Sequence, residues 1–348
     1  MTDIETKYAG LTLKNPLIVS SSGLTKDVDG VKRADDSGAG AVVLRSVFEE
    51  EILADVAKVQ NGISSHHPEA YDYLRGYDLH EYLKLIEKAK QGCSIPVIAS
   101  INCTSSSQWV DYSKKIQAAG ADALELNISI LPGKEHIAHP EFEQTKGVPQ
   151  YYDKLDNFPP IKFQNSGQVE EVYYEVLKEL KKHISIPIIF KVGPYFTSLI
   201  NFAKTLDSHD VNALVLFNWF FTPDFDIDTK EVIHTMRLSN SQYMGNTLRW
   251  ISLLNNEVKC DLSATTGVHD AKSCIKLLMA GASTVQLCSA VYKNGFSIVE
   301  EYLKVITDWM DKNNYSSIEE LKGSLRKHLD KDVFTRMQYV KMYTSVEE

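Results

Sequence analysis

CDLSATTGVHDAKSCIKLLMAGASTVQLCSA, residues 260–290, consists of two short apolar runs separated by one helical pattern. The runs CDLSATTG (260–267) and STVQLCSA (283–290) have the length of strands and are apolar on both faces. Strands of that kind belong to parallel sheets that helices cover all round. Between them, DAKSCIKLLMAGA (270–282) has the spacing of an amphipathic helix. The stretch therefore predicts a strand–helix–strand unit of a parallel sheet.

The same unit recurs along the chain in both directions from this stretch. Strands are predicted at 17–23, 41–47, 96–102, 123–129, 186–193, 213–219, 260–267 and 283–290. Helices are predicted at 28–37, 78–92, 106–121, 168–184, 198–210, 246–258, 270–282 and 297–313. Eight such units predict an α/β fold of the (β/α)8 TIM barrel type. A doubly wound open sheet is disfavoured, because no G-x-G-x-x-G follows the first strand.

The 348 residues contain no linker, internal repeat or low-complexity tract, so we expect one domain spanning 1–348. Inserts at 48–77, 130–167 and 220–245 interrupt the pattern, and the barrel rule places them on the active-site side. Residues 314–348 are predicted to add helix outside the barrel. The first strand-like run begins at Leu17, which leaves no room for a membrane-docking extension before it.

Charge and cysteine content exclude several classes of protein. The net charge of -9 argues against nucleic acid or an anionic membrane as a partner, because both attract basic surfaces. None of the five cysteines forms a C-x-x-C pair, so neither a metal site nor an iron–sulfur cluster is predicted. No signal peptide and no membrane-length apolar run is present, and we expect a cytoplasmic protein.

Polar residues accumulate at the predicted C-terminal ends of the strands, where a barrel enzyme places its active site. In chain order these residues are Ser20, Ser21, Ser22, Gly23, Arg45, Ser46, Ser100, Asn102, Asn127, Ser129, Lys191, Asn218, Thr265, Thr266, Gly267, Cys288 and Ser289. Burying a cation without a partner is costly, so Arg45 and Lys191 predict an anionic group between them. For a single Ser or Asn, capping the following helix is an equal alternative.

The last two strand ends have the form of a phosphate site. Gly267 allows the backbone to approach a ligand closely, and the loops after strands seven and eight lead into helix N-termini. Many barrels hold a phosphorylated cofactor or substrate at this place.

Taken together, these motifs resemble the dihydroorotate dehydrogenases, a family of FMN-containing (β/α)8 barrels. The resemblance runs in order through KNPLIVSSSG, LRSV, LELNIS with PGK, FKVGPYF, FNW and TTGVHDAKSCIKLLMAGASTVQLCSAVYKNG. It implies oxidation of dihydroorotate to orotate in pyrimidine biosynthesis, and it is closest to the soluble class. That class implies a homodimer that passes electrons to a soluble acceptor or to an electron-transfer subunit.

The resemblance also implies roles for individual residues. Ser21, Ser22 and Gly23 would lie against the flavin, and Ser46, Ser100 and Asn127 would bond its edge. Lys191 would lie near the N1–O2 edge, where two-electron reduction places negative charge. Asn218 would face both flavin and substrate. The remaining cofactor residues would hold the phosphate, mostly through backbone N–H groups: Thr266, Gly267, Cys288 and Ser289.

Departures from the family pattern concern the substrate. Arg45 replaces a lysine, and it keeps the charge but cannot act as a general base. Ile130 stands where the family has its catalytic Cys or Ser, and Pro132 stands where a substrate-binding Asn is usual. Asn61 is retained as a candidate substrate ligand. Cys103 is our candidate for the base, and other candidates lie in nearby loops: Ser129, His66, His67, His136 and His139.

Three functions stay open on the sequence. The first is dihydroorotate oxidation with another residue as the base. The second is an FMN oxidoreductase for a different acidic substrate, which Arg45 would grip bidentately. The third is a non-redox, phosphate-binding lyase or isomerase, in which Lys191 would form a Schiff base.

Overall fold

A computed structural model of the chain describes residues 2–48, 79–102, 106–128, 166–220, 224–233 and 237–325. In these ranges the strands are β1 (Thr6–Tyr8), β2 (Leu11–Leu13), β3 (Leu17–Val19), β4 (Ala41–Val43), β5 (Val47–Phe48), β6 (Val97–Asn102), β7 (Ala123–Asn127), β8 (Ile188–Val192), β9 (Ala213–Leu216), β10 (Asp224–Phe225), β11 (Val232–Ile233), β12 (Asp261–Ala264) and β13 (Thr284–Leu287). The helices are α1 (Val28–Asp36), α2 (Leu79–Gly92), α3 (Ser106–Ala118), α4 (Ser166–Lys181), α5 (Leu199–Ser208), α6 (Met244–Leu254), α7 (Ala271–Ala280), α8 (Ser289–Asn294), α9 (Ile298–Lys312) and α10 (Ile318–Leu321).

Eight parallel strands close into a barrel. The order around it is β3, β4, β6, β7, β8, β9, β12 and β13, and β13 pairs with β3 to complete the ring. The short strand β5 continues the ladder of β4 by pairing Val47 with Ile101 of β6. Helices follow the strands and cover the outside of the ring, so the predicted (β/α)8 TIM barrel is confirmed.

Successive side chains of each strand point alternately to the outside and to the inside of the barrel, and both sides are packed with apolar residues. In β7, Leu124 and Leu126 belong to the large cluster between strands and helices. Ala123 belongs to a smaller cluster that fills the barrel, together with Ile18, Ile98 and Ile189. Because both faces of these strands are buried, the strands appear in the sequence as continuous apolar runs.

The N-terminal end of the barrel is closed by an antiparallel hairpin of β1 and β2. Its Tyr8, Ala9 and Leu13 are buried in the cluster inside the barrel. The turn between the strands has positive φ at Ala9 and Gly10, which suits the right-handed twist of a tight hairpin. Our expectation that strand-like sequence begins at Leu17 is therefore wrong, because three-residue strands carry too few positions to show their alternation.

The predicted bounds also need smaller corrections. Strand β13 ends at Leu287, and Ser289 already begins helix α8 rather than ending a strand. Part of the 220–245 insert forms the hairpin of β10 and β11, and helix α6 begins inside that insert at Met244. The 48–77 and 130–167 inserts lie mostly outside the described residues, as does the chain after 325. Among the described helices, none combines the length and apolar character needed to cross a bilayer.

Candidate active site at the carboxyl ends of the strands

The interior of the barrel changes from apolar to polar in one step along several strands. Residues two positions apart on a strand face the same side of the sheet. On each of these strands, the last apolar residue that faces the barrel interior is followed, two positions later, by a polar one. The pairs are Ile18 and Ser20, Ile98 and Ser100, Ala123 and Glu125, and Ile189 and Lys191. Because parallel strands end at the same side of the barrel, these positions form one polar layer above the apolar interior.

Five predicted cofactor residues from five strand ends are joined by hydrogen bonds, and we refer to Ser21, Ser46, Ser100, Asn127 and Asn218 as the polar strip. The hydroxyls of Ser21 and Ser46 lie 3.2 Å apart, and those of Ser46 and Ser100 lie 2.7 Å apart. Asn127 Nδ2 donates to Ser46 Oγ at 3.3 Å. Asn218 Nδ2 donates to Asn127 Oδ1 at 2.8 Å. The strip thus orients amides and hydroxyls along one edge of the site.

Lys191 lies under the polar strip and is 6% exposed. Its Nζ donates to Ser20 Oγ at 3.3 Å and lies 3.8 Å from Glu125 Oε1. Glu125 is fully buried, and Ser100 Oγ donates to its Oε1 at 3.4 Å. Sequence reasoning missed Glu125 because it treated ALELNIS as an apolar strand. The signal was present, since position 125 has the same inward parity as Asn127.

Tyr8 reaches the same interior from the floor of the barrel. Burial raises the pKa of its phenol well above the usual value, and the charge of Glu125 raises it further. Tyr8 is therefore a neutral neighbour of the buried charges at physiological pH.

Arg45 lies two residues beyond the end of β4, and its backbone N–H donates to Thr25 O at 3.3 Å. It therefore stands on the strand end next to Ser46, as the sequence predicted. The candidate base Cys103 and the candidate substrate ligand Asn61 lie outside the described residues. So do Ile130 and Pro132, together with the other candidate bases: Ser129, His66, His67, His136 and His139.

The predicted phosphate loop has an unusual backbone. Thr266 and Gly267 have φ of 73° and 83°. A Cβ on Gly267 would lie 2.2 Å from the backbone nitrogen of Met244, at the start of helix α6. Thr266 Oγ1 donates to Phe217 O at 2.8 Å and ties the loop to the end of β9. Glycine at 267 therefore allows the loop to lie directly against the N-terminus of α6.

Ser239 is a residue of this region that sequence reasoning missed. Its backbone N–H donates to Ser289 Oγ at 3.1 Å, and its own Oγ accepts from the Gly267 N–H at 3.4 Å. Lys293 Nζ donates to Ser239 O at 3.1 Å. The segment lies inside the 220–245 insert, and only the pairing of distant loops shows that it returns to Gly267. The donors gathered here are those that an anion such as phosphate requires.

Cys288 and Ser22 have defined local roles. Cys288 is the N-cap residue of helix α8, and burial raises the pKa of its thiol, although Lys191 and Ser22 oppose that shift. Ser22 Oγ accepts from the Leu24 N–H at 3.2 Å and caps the short turn that begins at Gly23. A Cβ on Gly23 would lie 2.9 Å from Tyr292 Oη. Both strand ends are thus closely packed where the cofactor is predicted.

His269 predicts a measurable pH dependence of stability. Partial burial lowers its pKa, as does the nearby charge of Lys293, while Ser239 lies 3.2 Å from its Nε2. In the unfolded chain the imidazole has a pKa near 6.5, and in the folded protein its pKa is lower. The contribution of His269 to the free energy of unfolding is therefore constant above about pH 6.5 and decreases as the pH falls from there towards the folded pKa. Urea unfolding should show that the free energy of unfolding decreases more between pH 7.5 and pH 5.5 in the wild type than in His269→Asn. Equal losses in both proteins would contradict this prediction.

Comparisons with known proteins show which proteins this chain resembles. A family model described as dihydroorotate dehydrogenase matches residues 157–310, which include Lys191, Asn218 and Gly267. The dihydroorotate dehydrogenase B (NAD(+)) catalytic subunit of Thermoplasma acidophilum is 26% identical over 337 residues, covering 93% of this chain and 99% of that protein. The subunit of the same name from Thermoplasma volcanium is 25% identical over 328 residues, covering 93% and 98%.

A relative named for a different electron acceptor matches this chain to a similar extent. Dihydroorotate dehydrogenase A (fumarate) of Lactobacillus delbrueckii subsp. bulgaricus is 23% identical over 346 residues, covering 94% of this chain and 99% of that protein. Each of these alignments covers more than nine tenths of the chain. The chain is similar to the dihydroorotate dehydrogenases, at modest identity over most of its length.

Proposed function

We propose that this protein is an FMN-dependent oxidoreductase of the dihydroorotate dehydrogenase type. The observation that carries the proposal is the joining of five strand ends by the polar strip, directly above the buried Lys191. A planar cofactor with alternating donors and acceptors along its edge needs such a row of amides and hydroxyls. The similarity to dihydroorotate dehydrogenases over most of the chain supports the same function.

The donor set fits both ends of FMN. Along the polar strip, Ser46, Ser100 and Asn127 would bond the edge of the ring, and Lys191 would balance the negative charge of its reduced form. At the other end, the backbone of Thr266 and Gly267 and the N-terminal turn at Cys288 and Ser289 would hold the phosphate, with Ser21, Ser22 and Gly23 against the ring. Ser239 and Lys293 would add a hydroxyl and a cation to the phosphate site. The bound flavin would supply the acceptor for a hydride.

The remaining residues of the site would bind and deprotonate the substrate. Asn127 and Asn218 would present amides to it, with Asn61 as a further ligand, and Arg45 would pair with its carboxylate. The proton that leaves with the hydride requires a base, and Cys103 is our candidate. For dihydroorotate, this arrangement yields orotate.

The second candidate function is FMN-dependent oxidation or reduction of an acidic substrate other than dihydroorotate. Ile130 has no group that accepts a proton and occupies the family's base position, while Pro132 occupies the position of a substrate asparagine. Arg45 would still select a carboxylate. A Schiff-base mechanism on Lys191 is disfavoured, because Lys191 Nζ donates to Ser20 Oγ and lies 3.8 Å from Glu125 Oε1, where it is held in place by its partners.

Electrons would leave the flavin to a separate acceptor. Relatives are named as catalytic subunits with NAD(+), or as enzymes with fumarate, so we propose either an electron-transfer subunit or a soluble acceptor. We further propose a cytoplasmic homodimer that contacts neither nucleic acid nor membrane.

Purified protein should be yellow, with flavin bands in the blue and near-ultraviolet, and anaerobic dihydroorotate should bleach the blue band. Bleaching follows because oxidation of the substrate passes two electrons to the flavin. The control is the same protein mixed with orotate, which has no hydride to donate. A flavin band that persists at saturating dihydroorotate would favour the second candidate. A colourless protein that does not bind added FMN would overturn both.

A further inference from the structure

Four buried side chains at four strand ends form a closed ring beneath the polar strip. Lys191 Nζ donates to Ser20 Oγ at 3.3 Å, and Ser20 Oγ donates to Gln286 Oε1 at 2.9 Å. Gln286 Nε2 donates to Glu125 Oε2 at 3.2 Å. Glu125 Oε1 lies 3.8 Å from Lys191 Nζ and closes the ring. We refer to Ser20, Glu125, Lys191 and Gln286 as the buried ring.

Glu125 is hydrogen-bonded through both oxygens of its buried carboxyl group. Its two carboxylate oxygens accept hydrogen bonds from Ser100 and Gln286, and a cation lies nearby. A buried carboxyl group is costly unless it is hydrogen-bonded and paired in this way. Lys191 would be similarly costly to bury alone. Among the described residues, Glu125 is the acid within ion-pair distance of Lys191, so the two side chains form a pair with no net charge.

The pair has a consequence for any ligand that gains negative charge at the strand ends. A lone buried cation would bind the reduced, more negative form of FMN far more tightly than the oxidised form. An anion 3.8 Å behind that cation reduces the preference, because it attracts the ammonium that would otherwise pair fully with the added charge of the ligand. Gln286 and Ser20 hold the two partners in fixed positions around the ring.

We propose that Glu125 is a positioning residue of the oxidoreductase site: it is the counter-ion that holds the Lys191 ammonium and limits the site's preference for reduced over oxidised FMN. This inference rests on the proposed function, since it concerns the same site. It adds a residue whose effect is exerted through Lys191 rather than by contact with the reacting atoms.

Replacing Glu125 with Gln removes the charge while keeping the shape, and Ser20 still holds Lys191. In the FMN-loaded protein, Glu125→Gln is expected to increase the preference for reduced over oxidised FMN by about tenfold. Titration against a reference dye at pH 7 would show this as a rise of about 30 mV in the two-electron midpoint potential. The matched control is Glu257→Gln, which removes the acid of an exposed pair with Lys204 and should leave the potential unchanged.

The Lys191→Met background separates action through Lys191 from a direct field effect. In that background Glu125 has no ammonium to hold, so an effect exerted through Lys191 is lost. Glu125→Gln should therefore change the FMN preference by less than about twofold in that background. An equal shift in both backgrounds, or no shift in either, would overturn the proposal.

A second variant covers the case in which Glu125→Gln does not fold. Glu125→Asp keeps the charge but withdraws it from Lys191 by one methylene, and we expect an increase of about threefold in the preference for reduced FMN. An unchanged potential in this variant also overturns the counter-ion role.

Failure of the wild type to bind FMN would overturn the proposed function itself. Normal binding with an unaltered potential in the Glu125 variants would overturn only this inference.

Discussion

Lys191→Met is expected to slow flavin reduction by substrate by about 10²–10³-fold, the usual effect of removing one electrostatic donor from a developing negative charge. Methionine keeps much of the side-chain length but has no ammonium. The buried Glu125 also loses its partner, so the free energy of unfolding should fall by about 3–5 kcal/mol. Anaerobic stopped-flow absorbance measures the reduction rate, and urea unfolding measures the stability.

Lys204→Met provides the matched control for this substitution. Lys204 lies on α5, and its Nζ pairs with Glu257 Oε2 at 3.0 Å on the surface. An exposed pair contributes less than about 1 kcal/mol, so this variant should retain both stability and reduction rate. If Lys191→Met reduced the flavin at the rate of Lys204→Met, Lys191 would have no role in balancing the charge of the flavin.

Gly267→Ala is expected to weaken FMN binding by about 10- to 100-fold for each phosphate donor that is displaced. Its new Cβ would lie 2.2 Å from Met244 N, so either the loop or the start of α6 must move. The φ of 83° adds strain for any side chain. Together these effects should lower the free energy of unfolding by about 3–5 kcal/mol. Flavin fluorescence quenching measures the Kd of FMN, and urea unfolding measures the stability.

Gly10→Ala separates backbone strain from the close approach. Gly10 also has φ of 83°, but a Cβ there would meet nothing within 4 Å, and the residue lies on the floor hairpin. We expect a loss of about 1–2 kcal/mol in stability and no change in FMN affinity. Equal effects of the two substitutions would show that the contact between Gly267 and α6 is unimportant for the phosphate site.

The residues that could be assigned from sequence are those whose periodicity extends over a whole element. Strand β8 is a continuous apolar run interrupted by one lysine, and both the strand and Lys191 were predicted because a buried cation is conspicuous there. Strands β1 and β2 have three residues each, and their pattern was too short to recognise. Ser289 was assigned to a strand because the local sequence does not show that β13 stops at Leu287.

Residues of the site divide in the same way. Ser46, Asn127 and Asn218 were predicted because each follows an apolar strand and matches a motif. Ser239 was missed because it becomes part of the site only when an insert returns to Gly267. Glu125 was missed because its strand was treated as apolar, although its parity with Asn127 was visible; its pairing with Lys191 on β8 appears only in the closed barrel.

The sequence alone determined the eight strand–helix repeats and the polar ends of the strands, because hydrophobic periodicity and strand-end position are local properties of the chain. Only the tertiary structure decided which polar groups meet. The pairing of Glu125 with Lys191, the joining of five strand ends in the polar strip and the contact of Gly267 with α6 each connect segments distant in sequence. Such contacts depend on the closure of the barrel, which no single segment encodes.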